Sequence, residues 1–204
     1  MKTSMLILSL FFSAISNAQT AKEVFNSAEI PVTYLGIDFT RAKIMGEIAG
    51  NMEILKAFAA INNTVAHESK KYDIAAAIRK TNVVNNLSFV GPRNKAVDVS
   101  KIKTDQVSDF THLAPADIDK LVKEYNFSGQ KGIGLLFVVD GMSKLAGKAS
   151  VYVTFIDMGA KKVLFTERMM GKVGGFGLRN YWAKPFEDIL NQIEASKFKE
   201  WKGR

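Results

Sequence analysis

The chain contains no cysteine. It therefore cannot carry a disulfide, a zinc-thiolate centre, an iron-sulfur cluster or a cysteine nucleophile, and no thiol follows the amino terminus on which a lipid anchor could be built. Histidine is nearly as scarce, with His67 and His112 alone. His67-Glu68 lacks the second histidine that a zinc-protease helix presents on the same face. No Gly-x-Ser-x-Gly elbow of a serine hydrolase occurs. Repeats, heptad arrays and low-complexity tracts are missing as well. These absences leave no catalytic residue, no metal ligand set and no cofactor to name from the sequence.

Long apolar runs are absent too, apart from one short run at the start. Lys2 provides a positive beginning, residues 5–15 (MLILSLFFSAI) are apolar with small serines between, and Ser16-Asn17-Ala18 is a small-x-small cleavage site. The run covers about 11 residues, against the roughly 20 that cross a bilayer as a helix, so it reads as a cleaved leader and not an anchor. Residues 1–18 are the expected signal peptide, the mature chain is expected to start at Gln19, and the protein is expected to be exported to a periplasmic or extracellular space. A domain without disulfides fits a bacterial envelope better than an animal extracellular fluid.

What remains, residues 19–204, has the length of one domain, and 47% of the whole chain is apolar. Such a domain hides roughly 70% of the surface its unfolded chain would expose, so its core needs no metal or disulfide. The formal charge is +8, and loss of Lys2 with the leader takes it to about +7, an excess that favours anionic surfaces. Outside the cytoplasm these are lipid head groups, lipopolysaccharide, acidic wall polymers or an acidic protein, and nucleic acid is not expected. The basic residues are scattered except in residues 197–204 (KFKEWKGR), where Phe198 and Trp201 suggest either an edge that dips into an anionic surface or a frayed terminus.

Periodicity points to an α+β domain with a mixed or largely antiparallel sheet and helices packed on its faces. Residues 31–39 read as a first strand. Ile54, Phe58, Ile61 and Val65 recur at helical spacing, and a shorter helix is expected over residues 71–80. Residues 83–109 give mixed signals and read as a long loop or mobile insertion. Pro115 opens a helix whose Ile118, Leu121, Val122 and Tyr125 share a face. Residues 133–139 are apolar on both faces, as a central strand requires, with Asp140-Gly141 as its closing turn. Residues 149–158 alternate, residues 157–161 form a hairpin connection, and residues 162–170 return as a third adjacent strand. In the last helix Trp182, Phe186, Ile189 and Ile193 would cover one face of that sheet, with Pro185 tolerable only in its first turn.

The best candidate site lies between that third strand and the last helix. Gly171, Gly174, Gly175 and Gly177 stand where glycine-rich loops bind phosphate at a helix amino terminus. Gly177 is followed by Leu178-Arg179, not by the Ser or Thr of a nucleotide loop, so a sharp turn built on positive φ is the alternative reading. Arg179, Asn180, Tyr181 and Trp182 follow, as a cationic, an amide and two aromatic side chains suited to a sugar or peptide platform. Alternatively Tyr181 and Trp182 anchor the helix in the core and Asn180 caps it. Gly46-Glu47-Ile48-Ala49-Gly50 reads as a loosened helix start.

The order of helix, buried strand, strand, turn, strand and closing helix is similar to the second half of an envelope-domain class. That class includes the amino-terminal domain of the Tol-Pal periplasmic protein TolB, the curli-secretion lipoprotein and the lipoproteins that activate penicillin-binding proteins. Val153-Thr154-Phe155-Ile156-Asp157 followed by Lys162-Val163-Leu164-Phe165 resembles their strand-turn-strand segment, and the ensemble looks like exported proteins of the Bacteroidetes type. The chain departs from the class in lacking a lipidation cysteine and in carrying the segment 171–182. The resemblance implies a non-enzymatic module that docks onto envelope partners, either a protein or an anionic polymer. Two alternatives stand beside it: a cell-wall or glycan hydrolase using carboxylates, and a carrier of a small ligand.

Overall fold

The computed structural model describes residues 20–204; the predicted leader, residues 1–18, lies outside them. The chain forms a single α+β domain on a six-stranded mixed sheet. In chain order its elements are α1 (Ala21–Asn26), β1 (Val32–Asp38), β2 (Lys43–Met45), α2 (Asn51–His67), α3 (Ile74–Ala77), β3 (Val83–Asn85), α4 (Val90–Lys95), α5 (Val99–Ile102) and a 3-10 turn (Val107–Thr111). Then follow α6 (Pro115–Glu124), β4 (Ile133–Ser143), β5 (Lys148–Asp157), β6 (Lys162–Lys172), α7 (Gly177–Gln192), a π turn (Ile193–Lys197) and α8 (Phe198–Lys202).

The strand order is β3-β1-β4-β5-β6, with β2 paired to the far end of β4. β1 runs parallel to β3 and β4, whereas β4, β5 and β6 form the antiparallel meander expected from their alternation and hairpin signal. All 11 residues of β4 are buried, because helices cover both faces. Leu135, Phe137 and Val139 pack with α2, α7 and α8, and Leu136 and Val138 with α6. The period of two thus divides one continuous apolar run between two cores.

Two buried asparagines complete β1 beyond the short β3. Ile37 N–H donates to Asn62 Oδ1 at 2.7 Å, the Asn62 amide donates back to Ile37 O at 3.0 Å, and Asn94 accepts from Phe39 N–H at 2.9 Å. Without them this buried stretch of backbone would lack ladder partners, which is why a weak helix former stands inside α2.

Several sequence expectations are corrected. Asp140-Gly141 is not a turn: β4 continues through a bulge there to Ser143. A Cβ on Gly141 would lie 2.3 Å from Phe110 O, so the glycine admits the 3-10 turn against the strand. The helix expected over residues 71–80 shrinks to α3, ended by Arg79 at φ +49. Lys80 then turns inward to donate to the carbonyls of Val24 and Ser27. Residues 83–109 are not a loose insertion but contain β3, α4, α5 and the start of the 3-10 turn, with Val90, Val99 and Ile102 buried. Pro185 lies in the middle of α7, not in its first turn. The carboxyl terminus is neither frayed nor free to dip into a surface. Phe198 and Trp201 are buried against Phe25, and Trp201 Nε1 donates to Glu167 Oε2 at 3.0 Å.

Candidate functional site

At one end of the sheet an open cleft of about 760 Å³ lies between three loops and the start of α7. The loops are residues 46–50 before α2, the β4–β5 turn and the glycine-rich segment after β6. Glu47, Ala49, Glu53, Lys144, Gly175 and Tyr181 are among its lining residues. The loops are tied to one another through the backbone. Lys144 N–H donates to Met45 O at 3.1 Å, and Val173 N–H donates to Gly147 O at 3.1 Å.

Pro185 explains a third tie. In a regular helix the N–H of residue 185 would occupy the carbonyl of Tyr181; proline has no N–H, and that carbonyl instead accepts from Gly174 N–H at 3.4 Å. The helix breaker inside α7 therefore frees an acceptor that holds the glycine loop. Gly175 and Gly177 adopt φ +93 and +75, conformations that L side chains resist, so the loop reaches α7 by the sharp turn expected of its composition.

Glu47 joins the cleft floor to the core. Its buried carboxylate accepts from Trp182 Nε1 at 3.0 Å, Ala49 N–H at 3.0 Å and Lys144 Nζ at 3.1 Å. Burial pushes the pKa of Glu47 up, but the hydrogen bonds from Trp182 and Ala49 and the ammonium of Lys144 outweigh it and hold the acid below its ordinary value. Lys144 also lies 5.9 Å from the centre of the Tyr181 ring. Carboxylate, indole, ammonium and phenol thus form one fixed polar floor.

The residues singled out from the sequence divide between this cleft and its supports. Gly175, Gly177 and Tyr181 line it. Trp182 is buried beneath it as the anchor that holds Glu47. Gly171 belongs to strand-helix packing, because a Cβ there would stand 2.2 Å from Pro185 O. Gly174 serves as the backbone tie. Arg179 and Asn180 bond to each other at 3.0 Å and are not among the lining residues. Asn180 is not a cap: α7 begins at Gly177 with Phe176 in the cap position and no side-chain cap bond. Glu47, Glu53 and Lys144 are not among the residues the sequence singles out: the Gly46 to Gly50 segment that holds Glu47 reads only as a helix start, and nothing local marks Glu53 or Lys144. Below the floor, a void of about 10 Å³ among Ile44, Phe58, Met142 and Trp182 has room for about one water and no ligand.

A second polar cluster lies away from the cleft. Asp140, buried at the β4 bulge, accepts from Leu113 N–H at 2.9 Å and Ser150 Oγ at 3.1 Å, with His112 Nδ1 at 3.0 Å and Arg168 Nε at 3.1 Å. Burial raises the pKa of Asp140 against the pull of these donors. The cluster fastens the chain leading into α6 to the sheet. A matching clamp on β1 joins Asp38 to Tyr125 Oη at 2.5 Å and Arg93 Nε at 3.3 Å, with Glu124 3.2 Å from Arg93. His67 Nδ1 lies 2.9 Å from Asn63 O in the last turn of α2. Among the described residues no three His, Asp or Glu side chains are grouped to hold a metal ion. No protein-family model and no curated protein matches this chain in sequence.

Proposed function

We propose that this protein is an exported cell-envelope module that works by binding, through the cleft at the Glu47–Tyr181 end of its sheet. The observation that carries the reading is that exposed apolar residues stand on the segments that frame the cleft. Ile48 lines the cleft, and Met52, Leu145 and Phe176 are chain neighbours of its lining residues Glu53, Lys144 and Gly175; all four are exposed. Exposed large hydrophobic residues gathered at one place mark interaction surfaces, whereas scattered ones need no account. The leader-like residues 1–18, the basic excess and the resemblance of the β5–β6 hairpin to envelope docking domains support the same reading.

The geometry offers less to the alternatives. A hydrolase needs two carboxylates free to exchange protons across a cleft, and Glu47 is saturated by three donors and held in its charged form. A small-ligand carrier needs an enclosed apolar pocket, and the space beneath the floor is about 10 Å³. The test is site-specific photocross-linking in cells, with the probe at Ile48 or Phe176 and a control probe at exposed Lys22. Adducts with envelope material at the first two positions and none at Lys22 are expected, together with an exported chain whose mass begins at Gln19. A chain found uncut in the cytosol, or adducts equal at all three positions, would overturn the reading.

A further inference from the structure

Three of these exposed apolar residues are tips that stand almost wholly in solvent, although Ile48 also borders the cleft. Ile48 is 93% exposed, Leu145 89% and Phe176 95%. Each leaves a different loop, yet the Lys144–Met45 and Val173–Gly147 backbone bonds and the Trp182–Glu47 bond lock those loops together. The tips therefore stand on a rigid base and enter an apolar phase with little ordering cost. Glu47, Glu53, Lys144 and Tyr181 put polar groups into the lining of the cleft, whereas Leu145 and Phe176 stand outside that lining, each next to a lining residue along the chain.

The charges at the same end carry the second half of the case. Lys148 and Lys172 are direct cross-strand partners on β5 and β6, where two like charges repel and destabilise the pair. These two strand ends lead into the loops that bear Leu145 and Phe176. Among the described residues neither lysine has an ion-pair partner, nor does exposed Arg179 in the first turn of α7. The acids at this end are Glu53, exposed and without an ion-pair partner among the described residues, and Asp188, which accepts from Lys172 N–H at 2.9 Å; Glu47 is already satisfied by Lys144 and Trp182. A cross-strand pair of lysines whose ammonium groups have no ion-pair partner among the described residues, beside protruding apolar tips, is complementary to a surface that is anionic outside and hydrocarbon within.

We propose that this end of the molecule docks on an anionic lipid bilayer, with Ile48, Leu145 and Phe176 seated at the acyl boundary and Lys148, Lys172 and Arg179 among the headgroup anions. The inference rests on the binding-module reading and names its partner. The test is co-sedimentation of the chain beginning at Gln19 with phosphatidylglycerol/phosphatidylcholine vesicles and with phosphatidylcholine vesicles. Binding to the anionic vesicles is expected, with a loss of at least about tenfold in Leu145→Ser/Phe176→Ser from the apolar surface no longer buried. Lys148→Gln and Lys172→Gln are each expected to cost about fivefold. Val84→Ser, at an exposed apolar position on the edge strand β3, controls for general stickiness and should bind like the parent, and unchanged near-ultraviolet circular dichroism verifies folding throughout.

Absence of binding, binding that ignores the tip substitutions, or equal binding to phosphatidylcholine alone would overturn the proposal. If vesicles fail while the Phe176 probe still captures an envelope protein, lipid docking falls and the binding-module reading stands. If both fail, both fall.

Discussion

Replacing Glu47 by glutamine changes little in shape and much in bonding, which makes it a sharp test of the floor of the cleft. The carboxylate accepts three hydrogen bonds, from a buried indole, a backbone amide and an ammonium. Glutamine keeps one accepting oxygen and turns an NH₂ donor toward donors, so one of Trp182 Nε1–H or Ala49 N–H is left facing another donor. A hydrogen bond to a charged group contributes about 1.5–3 kcal/mol, and a buried donor left unmet costs about 1–3 kcal/mol, two accounts that overlap. Lys144 is partly solvated, with 37% of its side chain exposed, so its share is discounted. The expected loss at pH 7 is about 2–3 kcal/mol, which for a domain of this size lowers Tm by roughly 5–10 °C.

The loss should depend on pH with a definite sign. The folded-state pKa of Glu47 lies below the ordinary value of 4.5. Stabilisation by the charge is thus fully present above about pH 4.5 and is lost as the pH falls through the lower folded value. Urea unfolding followed by tryptophan fluorescence should show a wide gap between parent and Glu47→Gln at pH 7 that narrows steadily toward pH 3. A cycle with Trp182→Phe should recover part of the energy as coupling, since the indole bond is then already absent. A gap that stays constant with pH, or a variant as stable as the parent at pH 7, would refute the assignment of Glu47 as the charged link between cleft and core.

Two further outcomes follow from the glycine loop and from α7. Gly171→Ala should destabilise by at least about 3 kcal/mol, because its Cβ would stand 2.2 Å from the rigid backbone of Pro185. Gly177→Ala meets nothing within 4 Å and bears only the strain of φ +75, a cost of about 1–2 kcal/mol; equal losses in the two variants by urea titration would contradict this division. Pro185→Ala restores an N–H that competes for Tyr181 O, so hydrogen exchange should quicken at Gly174. Unchanged exchange there would show that the freed carbonyl does not hold the loop.

The meander and the last helix were readable in the sequence because their signals are local and redundant. The alternation in residues 149–158 assigns Val151, Val153 and Phe155 to one face, and these three pack together under α7 and α8. The glycine segment was legible as a turn for the same reason, since positive φ is a property of a few adjacent residues. Asp140-Gly141 misled because its composition suits a turn and a bulge equally, and the choice depends on the 3-10 turn 30 residues earlier that needs the missing Cβ. Phe198 and Trp201 look exposed beside three lysines and an arginine, yet the aromatic site built by Phe25, Phe155 and Phe165 takes them in.

By itself the sequence determined which residues leave water and at what period, hence the strands, the long helices and the α+β class. It did so because burial of apolar surface is written in the spacing of side chains along one element. Only the tertiary structure decided which polar groups meet. Glu47 and Trp182 are 135 residues apart, and their bond exists because two separate elements pack against the same end of β4. No local pattern records such a meeting, since a buried carboxylate is stable only where distant donors converge upon it, and that convergence belongs to the closed fold.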